Sequence, residues 1–133
     1  MLSSSPLTAG VTLLIVLLMF GTCFAVGKGR HRYGVEAPAV TGHTVFERLY
    51  RVQMNTLEWA AMCLPCLWIC AAYVSDAIAA GLGAVWLAGR VWYAVGYAKE
   101  PALRAKGFTV AALAFGALGL AAGGGVVWRL LGV

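Results

Sequence analysis

Apolar residues dominate four long stretches of the chain, and short polar segments separate them. The stretches lie at about residues 7–26, 45–73, 77–99 and 107–131. A helix needs about 20 apolar residues to cross a bilayer, so each stretch is long enough for one membrane span. The pattern therefore predicts an all-α, four-transmembrane-helix bundle that forms a single domain over residues 1–133.

Small residues mark the predicted ends of the helices. Gly27 and Gly29 are expected to end the first helix, and Ser75 with Asp76 to form a tight turn after the second. The fourth stretch is rich in glycine, which permits close helix approach either within the chain or at an oligomer contact. The glycines concerned are Gly116, Gly119, Gly123, Gly124 and Gly125.

Composition and charge place the chain in a membrane. Of its 133 residues, 62% are hydrophobic and 11% are charged, against about 25% charged in soluble proteins. All the basic residues but Arg129 lie around the first and third connections, so the positive-inside rule predicts both connections in the cytoplasm. A bacterial inner membrane and the endoplasmic reticulum both fit. The net charge of +5 then reports topology and needs no nucleic acid to explain it.

One polar stripe runs along the start of the second helix. At about 100° per residue, its members fall within an arc of about 100°. They are Glu47, Arg48, Arg51, Asn55 and Glu58. Ionisable groups at membrane depth are costly unless paired, so the stripe is expected to face a bundle interior or a subunit interface.

A second stripe follows the third helix. Trp86, Arg90, Tyr93 and Tyr97 have i, i+4, i+7 and i+11 spacing and share an arc of about 60°. Arg104 follows near the same end of the bundle. These two stripes together are the candidate site.

The side chains of the two stripes and the first connection complement a small zwitterion with excess carboxylate. Arginines offer anion-binding forks at Arg30, Arg51, Arg90 and Arg104; Gln53 and Asn55 offer amides, and Glu58 offers a negative charge. Glutathione fits this set more completely than a free amino acid or a phospholipid headgroup. Structural pairing of arginine with glutamate stays open as an alternative.

The run from Phe46 to Glu58, with its Glu-Arg-x-x-Arg-x-x-x-Asn-x-x-Glu pattern, resembles the MAPEG family of membrane-associated proteins in eicosanoid and glutathione metabolism. The resemblance continues through Arg90, Tyr93, Gly96-Tyr97-Ala98 and Arg104. It implies a homotrimer of four-helix subunits, with glutathione bound between subunits near the cytoplasmic face. Arg51, Asn55, Glu58, Tyr93 and Tyr97 would bind glutathione, Arg30 and Gln53 would assist, and Arg104 would be the catalytic residue that faces the thiol.

The implied activity is a glutathione transferase or peroxidase that acts on a hydrophobic electrophile or a lipid hydroperoxide. His31, Trp59 and Gly116 depart from the residues of the leukotriene-synthesising members, which favours a broader substrate range. Two alternatives stay open: a membrane thiol-disulfide redox protein that uses Cys63 and Cys66, and a non-catalytic glutathione- or lipid-binding protein. The two histidines lack further ligands at metal-binding spacing, so no metal is expected.

Overall fold

A computed structural model describes residues 4–133, and these residues form four long helices. The helices are α1 (Pro6–Tyr33), α2 (Thr44–Tyr73), α3 (Asp76–Lys99) and α4 (Arg104–Leu130), and a short 3₁₀ turn over Pro101–Leu103 joins the last two. Each helix is long and apolar enough to span a membrane, and no β-strand occurs among residues 4–133. The predicted all-α, four-helix fold is therefore confirmed, and the chain is an integral, multi-pass membrane protein.

The first helix is longer than the sequence predicts. Gly27 and Gly29 lie inside α1, which ends only at Gly34, a residue with a φ of +67°. The prediction that these two glycines end the helix is wrong because a single helical glycine costs only about 1 kcal/mol, whereas positive charge in the last turn favours continuation. Gly29 also lets α2 come close, since a Cβ at this position would lie 3.0 Å from Leu49 Cδ1.

The start of α4 also differs from the prediction of residue 107. The 3₁₀ turn begins at Pro101 and runs directly into α4 at Arg104. Proline is favoured in a first turn because its missing N–H has no partner there in any case. Arg104 consequently lies in the first turn of α4 rather than in a loop, which fixes its backbone beside the end of α3.

The carboxylate of Asp76 joins the starts of α1 and α3. Its two oxygens accept the backbone N–H groups of Leu7 and Thr8 at 3.1 and 2.8 Å. These are two of the N–H groups that a helix start leaves without intrahelical partners. Because both helices begin at the same end of the bundle, α1 and α3 run parallel.

Glycines bring α3 and α4 into backbone contact. A Cβ at Gly89 would lie 2.7 Å from the backbone nitrogen of Ala111, and one at Gly107 would meet the backbone nitrogen of Tyr93. A Cβ at Gly96 would lie 2.6 Å from the carbonyl oxygen of Leu103. This close approach sets the height of α4 against α3 and so determines where Arg104 lies.

The glycines later in α4 do not share this role. A Cβ at Gly125 would lie 2.8 Å from Val74 Cγ2, so this glycine does pack within the chain. At Gly116, Gly119, Gly123 and Gly124, no described atom beyond the helix's own backbone lies within 4 Å of the Cβ position. Close packing within the chain, one of the two predicted roles, is therefore wrong for these four glycines.

Candidate functional site

A buried arginine lies between α2 and α3. Arg90 is only 1% exposed, and its Nη2 donates a hydrogen bond of 2.8 Å to the Thr56 hydroxyl. Its guanidinium carbon stands 4.2 Å from the centre of the Tyr93 ring, which is within cation–π range. Its Nε has no hydrogen-bond partner within residues 4–133. No role for Thr56 was predicted from the sequence. A hydroxyl on the apolar face of α2 is the available signal, but it does not identify Arg90 as the partner.

Aromatic rings connect this arginine to Arg104. The Tyr93 ring stacks on the Tyr97 ring with centroids 5.6 Å apart and an interplanar angle of 14°. The guanidinium carbon of Arg104 lies 5.4 Å from the centroid of Tyr97. We refer to Thr56, Arg90, Tyr93, Tyr97 and Arg104 as the arginine–tyrosine ladder. It runs from the buried interface of α2 and α3 to the exposed first turn of α4.

The polar stripe of α2 lies beside this ladder. Arg51 and Arg104, together with Arg90, lie close enough to Tyr93 to act electrostatically on its hydroxyl. Arg90 stands over the Tyr93 ring, and Arg51 and Arg104 add positive charge within electrostatic range of the same phenol. Such an arrangement attracts anions and would stabilise negative charge on a bound ligand.

Arg51 and Glu58 form a loose ion pair on the outer surface of α2. Arg51 Nη1 and Glu58 Oε1 are 4.0 Å apart, and the two side chains are 58% and 57% exposed. Asn55 stands between them in the sequence, and its Oδ1 is buried without a hydrogen-bond partner in the described part of the chain. The stripe thus presents a cation and an anion on one face, with an unpartnered amide oxygen buried between them.

Two predicted site residues do not join this group within the single chain. Arg30 donates to the carbonyl oxygens of Ala39, at 2.6 Å, and Val35, and its guanidinium lies over the Phe46 ring. Gln53 points to another side of α2, where it lines a cavity of about 350 Å³ against α1. Both residues were predicted to belong to the glutathione site, and within the single chain both lie away from the ladder.

The three cysteines of α2 lie in or against the apolar core, whereas Cys23 of α1 is exposed. Cys63 and Cys70 are fully buried, and Cys66 is partly buried; all are free thiols. A redox-active pair requires access for a partner or substrate, so the position of Cys63 disfavours the thiol-disulfide alternative. Among residues 4–133, no group of three or more His, Cys, Asp or Glu side chains could hold a metal ion.

A family model described as the MAPEG family matches residues 8–124. An uncharacterized protein of Synechocystis is 44% identical over 93% of this chain and 88% of its own length. Human microsomal glutathione S-transferase 2 is 36% identical over 81% of this chain and 74% of its own length. Leukotriene C4 synthase of Cavia porcellus is 40% identical over 74% of this chain and 65% of its own length.

Proposed function

The chain belongs to the MAPEG family, and from this premise we propose that it is a glutathione-dependent membrane transferase that activates the glutathione thiol at Arg104. The relatives named microsomal glutathione S-transferase 2 support glutathione as the thiol substrate. The observation that carries the proposal is the arginine–tyrosine ladder, which ends in an exposed guanidinium 5.4 Å from the Tyr97 ring.

The α2 stripe supplies the binding groups. Glutathione carries two carboxylates, one ammonium, two peptide amides and a thiol. Arg51 would bind a carboxylate, Glu58 the ammonium, and the side-chain amide of Asn55 a peptide group. Binding exchanges the long Arg51–Glu58 contact for shorter contacts with a ligand of complementary charge.

The same surface supports assembly as a homotrimer. Two charged side chains of a membrane-spanning helix are more than half exposed, and contact between such groups and lipid is energetically unfavourable. A second protein surface that covers them would remove this contact. A neighbouring subunit would also supply the residues that the single chain holds apart from the ladder. Arg30 and Gln53 would then reach glutathione from the neighbour, and glutathione would bind between subunits. The many basic residues at this end of the bundle support a site that faces the cytoplasm.

Chemistry at the site starts from the acidity of a thiol. The pKa of a cysteine thiol is about 8.5, so only a few per cent of the thiol is present as the nucleophilic thiolate at neutral pH. The guanidinium of Arg104 stays protonated and stabilises the thiolate electrostatically, while the thiol proton leaves to water. No general base is required.

The thiolate then attacks an apolar substrate that reaches the site through the bilayer. With a carbon electrophile, a carbon–sulfur bond forms and the leaving group departs with the electron pair. With a lipid hydroperoxide, the sulfur takes the terminal oxygen, the alkoxide is protonated to an alcohol, and the oxygen–oxygen bond breaks. A second glutathione then reduces the sulfenic acid to disulfide and water.

Calorimetric titration with glutathione, followed by turnover with a chromogenic aryl halide, tests the proposal on the detergent-solubilised protein. We expect saturable binding and conjugation. Binding without turnover of aryl halide or hydroperoxide would favour the non-catalytic alternative. Absence of binding, with a redox activity that is lost on replacement of Cys63, would favour the thiol-disulfide alternative.

A further inference from the structure

A second apolar feature lies on a different face of α3 from the ladder. Helices α1, α2 and α3 enclose a groove of about 470 Å³, to which Gly21, Ala25, Val91 and Val95 contribute, and Lys99 stands at one end of it. Val91 and Val95 are 44% and 53% exposed, so the groove is open at the side. Ladder residues and groove residues occupy separate arcs of α3, as the period of 3.6 residues per turn requires.

Further basic residues surround the Lys99 end of the groove. Lys28 and Arg32 lie on the same face of α1 as Gly21 and Ala25, one and two turns beyond Ala25. Their height follows from the Asp76 contacts, which set Asp76 level with Leu7 and Thr8 in a parallel helix. Lys99 is 23 residues beyond Asp76 and is therefore level with the last turns of α1, between Lys28 and Arg32.

A neighbouring cavity extends the basic end. It measures about 350 Å³, shares Val95 and Lys99 with the groove, and is also lined by Trp92 and Lys106. Glu100 is the acidic residue beside this cluster, so the basic residues keep an excess of positive charge.

The combination of an open apolar groove and a basic rim selects for a particular ligand class. Inside a bilayer, an acyl chain gains no hydrophobic free energy by leaving lipid for a protein groove. Selectivity must therefore come from the headgroup, and Lys or Arg clusters at the membrane surface favour anionic lipids. A zwitterionic headgroup also carries a positive charge, which the same basic residues repel, so its net electrostatic attraction is weaker.

We propose that this groove binds an anionic glycerophospholipid of the leaflet at the basic end of the bundle. One acyl chain lies along Gly21, Ala25, Val91 and Val95, and the phosphate pairs with Lys99. Lys28, Arg32 and Lys106 add long-range attraction. The proposal is independent of the glutathione chemistry, because no groove residue belongs to the ladder or to the α2 stripe.

Native mass spectrometry of the full chain from micelles with equal amounts of phosphatidylglycerol and phosphatidylcholine tests it. We expect phosphatidylglycerol to be retained preferentially. Lys99→Gln should lower its retention about fivefold, the factor that about 1 kcal/mol per basic residue implies, and should leave phosphatidylcholine unchanged. Lys99→Arg should keep the preference, and Arg129→Gln, at the other end of the bundle, is the matched charge control.

The groove itself is tested by Gly21→Leu. A Cβ at Gly21 meets no described atom within 4 Å beyond the helix's own backbone, so a side chain added there begins in open space, and that of leucine would fill part of the groove that Gly21 lines. This variant should lose retained phosphatidylglycerol while its circular dichroism spectrum stays that of the wild type. Equal retention of the two lipids, an unchanged preference in Lys99→Gln, or full retention in a folded Gly21→Leu protein would each overturn the proposal.

Discussion

Arg90 and Thr56 form a hydrogen bond of 2.8 Å in the buried interface between α2 and α3. Both residues are almost completely excluded from solvent, and Arg90 Nε has no partner in the described chain. A buried cation with so few partners depends strongly on each of them. The Thr56 hydroxyl therefore orients the guanidinium over Tyr93 and supports the start of the ladder.

Replacement of Thr56 by valine should destabilise the protein. Valine keeps the volume but removes the acceptor, and an unsatisfied buried donor on a charged group costs about 1 to 3 kcal/mol. Thermal unfolding in detergent measures the change. Thr56→Ser, which keeps the hydroxyl, is the control and should unfold closer to the wild type. Equal unfolding temperatures for the valine and serine variants would show that the hydrogen bond contributes little.

Asp76→Ala should also lower the thermal unfolding temperature, because the start of α1 loses two hydrogen-bond acceptors at once. Asp76→Asn retains one amide oxygen as an acceptor, so its unfolding temperature should lie between those of the alanine variant and the wild type. Glutathione affinity should be unchanged in both variants, since Asp76 lies at the opposite end of the bundle from Arg104. A loss of affinity with unaltered thermal unfolding would contradict the structural role.

The close approach of α3 and α4 predicts an unequal response at two glycines. Gly89→Ala should destabilise the chain by about 1 to 3 kcal/mol, because the added methyl meets the backbone of Ala111 at 2.7 Å. Gly123→Ala introduces the same methyl where no neighbouring atom lies within 4 Å and should be nearly neutral. Denaturation of both variants under the same conditions measures the change in the free energy of unfolding. Similar decreases for the two variants would contradict close backbone packing at Gly89.

The sequence predicted the helices well because their apolar runs match the thickness of a bilayer. It placed α2 and α3 within one residue of their observed bounds. The end of α1 was missed because glycine inside a helix can serve close packing, as Gly29 does against Leu49, as well as termination. Local sequence does not distinguish these two roles, since the distinction depends on which helix lies opposite.

Periodicity also predicted the part of the ladder on α3, since the spacing of Arg90, Tyr93 and Tyr97 puts them on one face of any α-helix. It did not predict that Thr56 would meet Arg90, because helical spacing within one element says nothing about the partner helix. Arg30 and Gln53 lie away from the ladder for a related reason. A shared ligand can gather residues from surfaces that one chain keeps apart.

The α2 stripe should affect binding and stability differently. Arg51→Ala and Glu58→Ala should each change stability by less than about 1 kcal/mol, because their mutual contact is long and exposed in the single chain. Loss of a desolvated charge contact with glutathione should weaken affinity by about 2 to 5 kcal/mol. Calorimetry and thermal unfolding of the same samples separate the effects, with Arg129→Ala as a control remote from the site. Wild-type glutathione affinity in both variants would indicate that Arg51 and Glu58 form a structural ion pair and do not bind glutathione.

Arg104→Ala addresses the mechanism. Arg51, Asn55 and Glu58 remain in this variant, so glutathione should still bind, whereas turnover should fall much further than affinity. Arg104→Lys should restore turnover only in part, because a compact ammonium replaces the planar guanidinium beside Tyr97. Unfolding temperature should be close to that of the wild type, since Arg104 is exposed.

The most direct measurement is the ultraviolet absorbance of the thiolate in protein-bound glutathione as pH is varied. In the wild type, the signal should already be present at neutral pH, well below the ordinary thiol pKa of about 8.5. In Arg104→Ala it should be weak at neutral pH and appear only as the pH approaches that value. A full thiolate signal at neutral pH in Arg104→Ala, with undiminished turnover, would contradict activation by Arg104 and assign it to another group of the site.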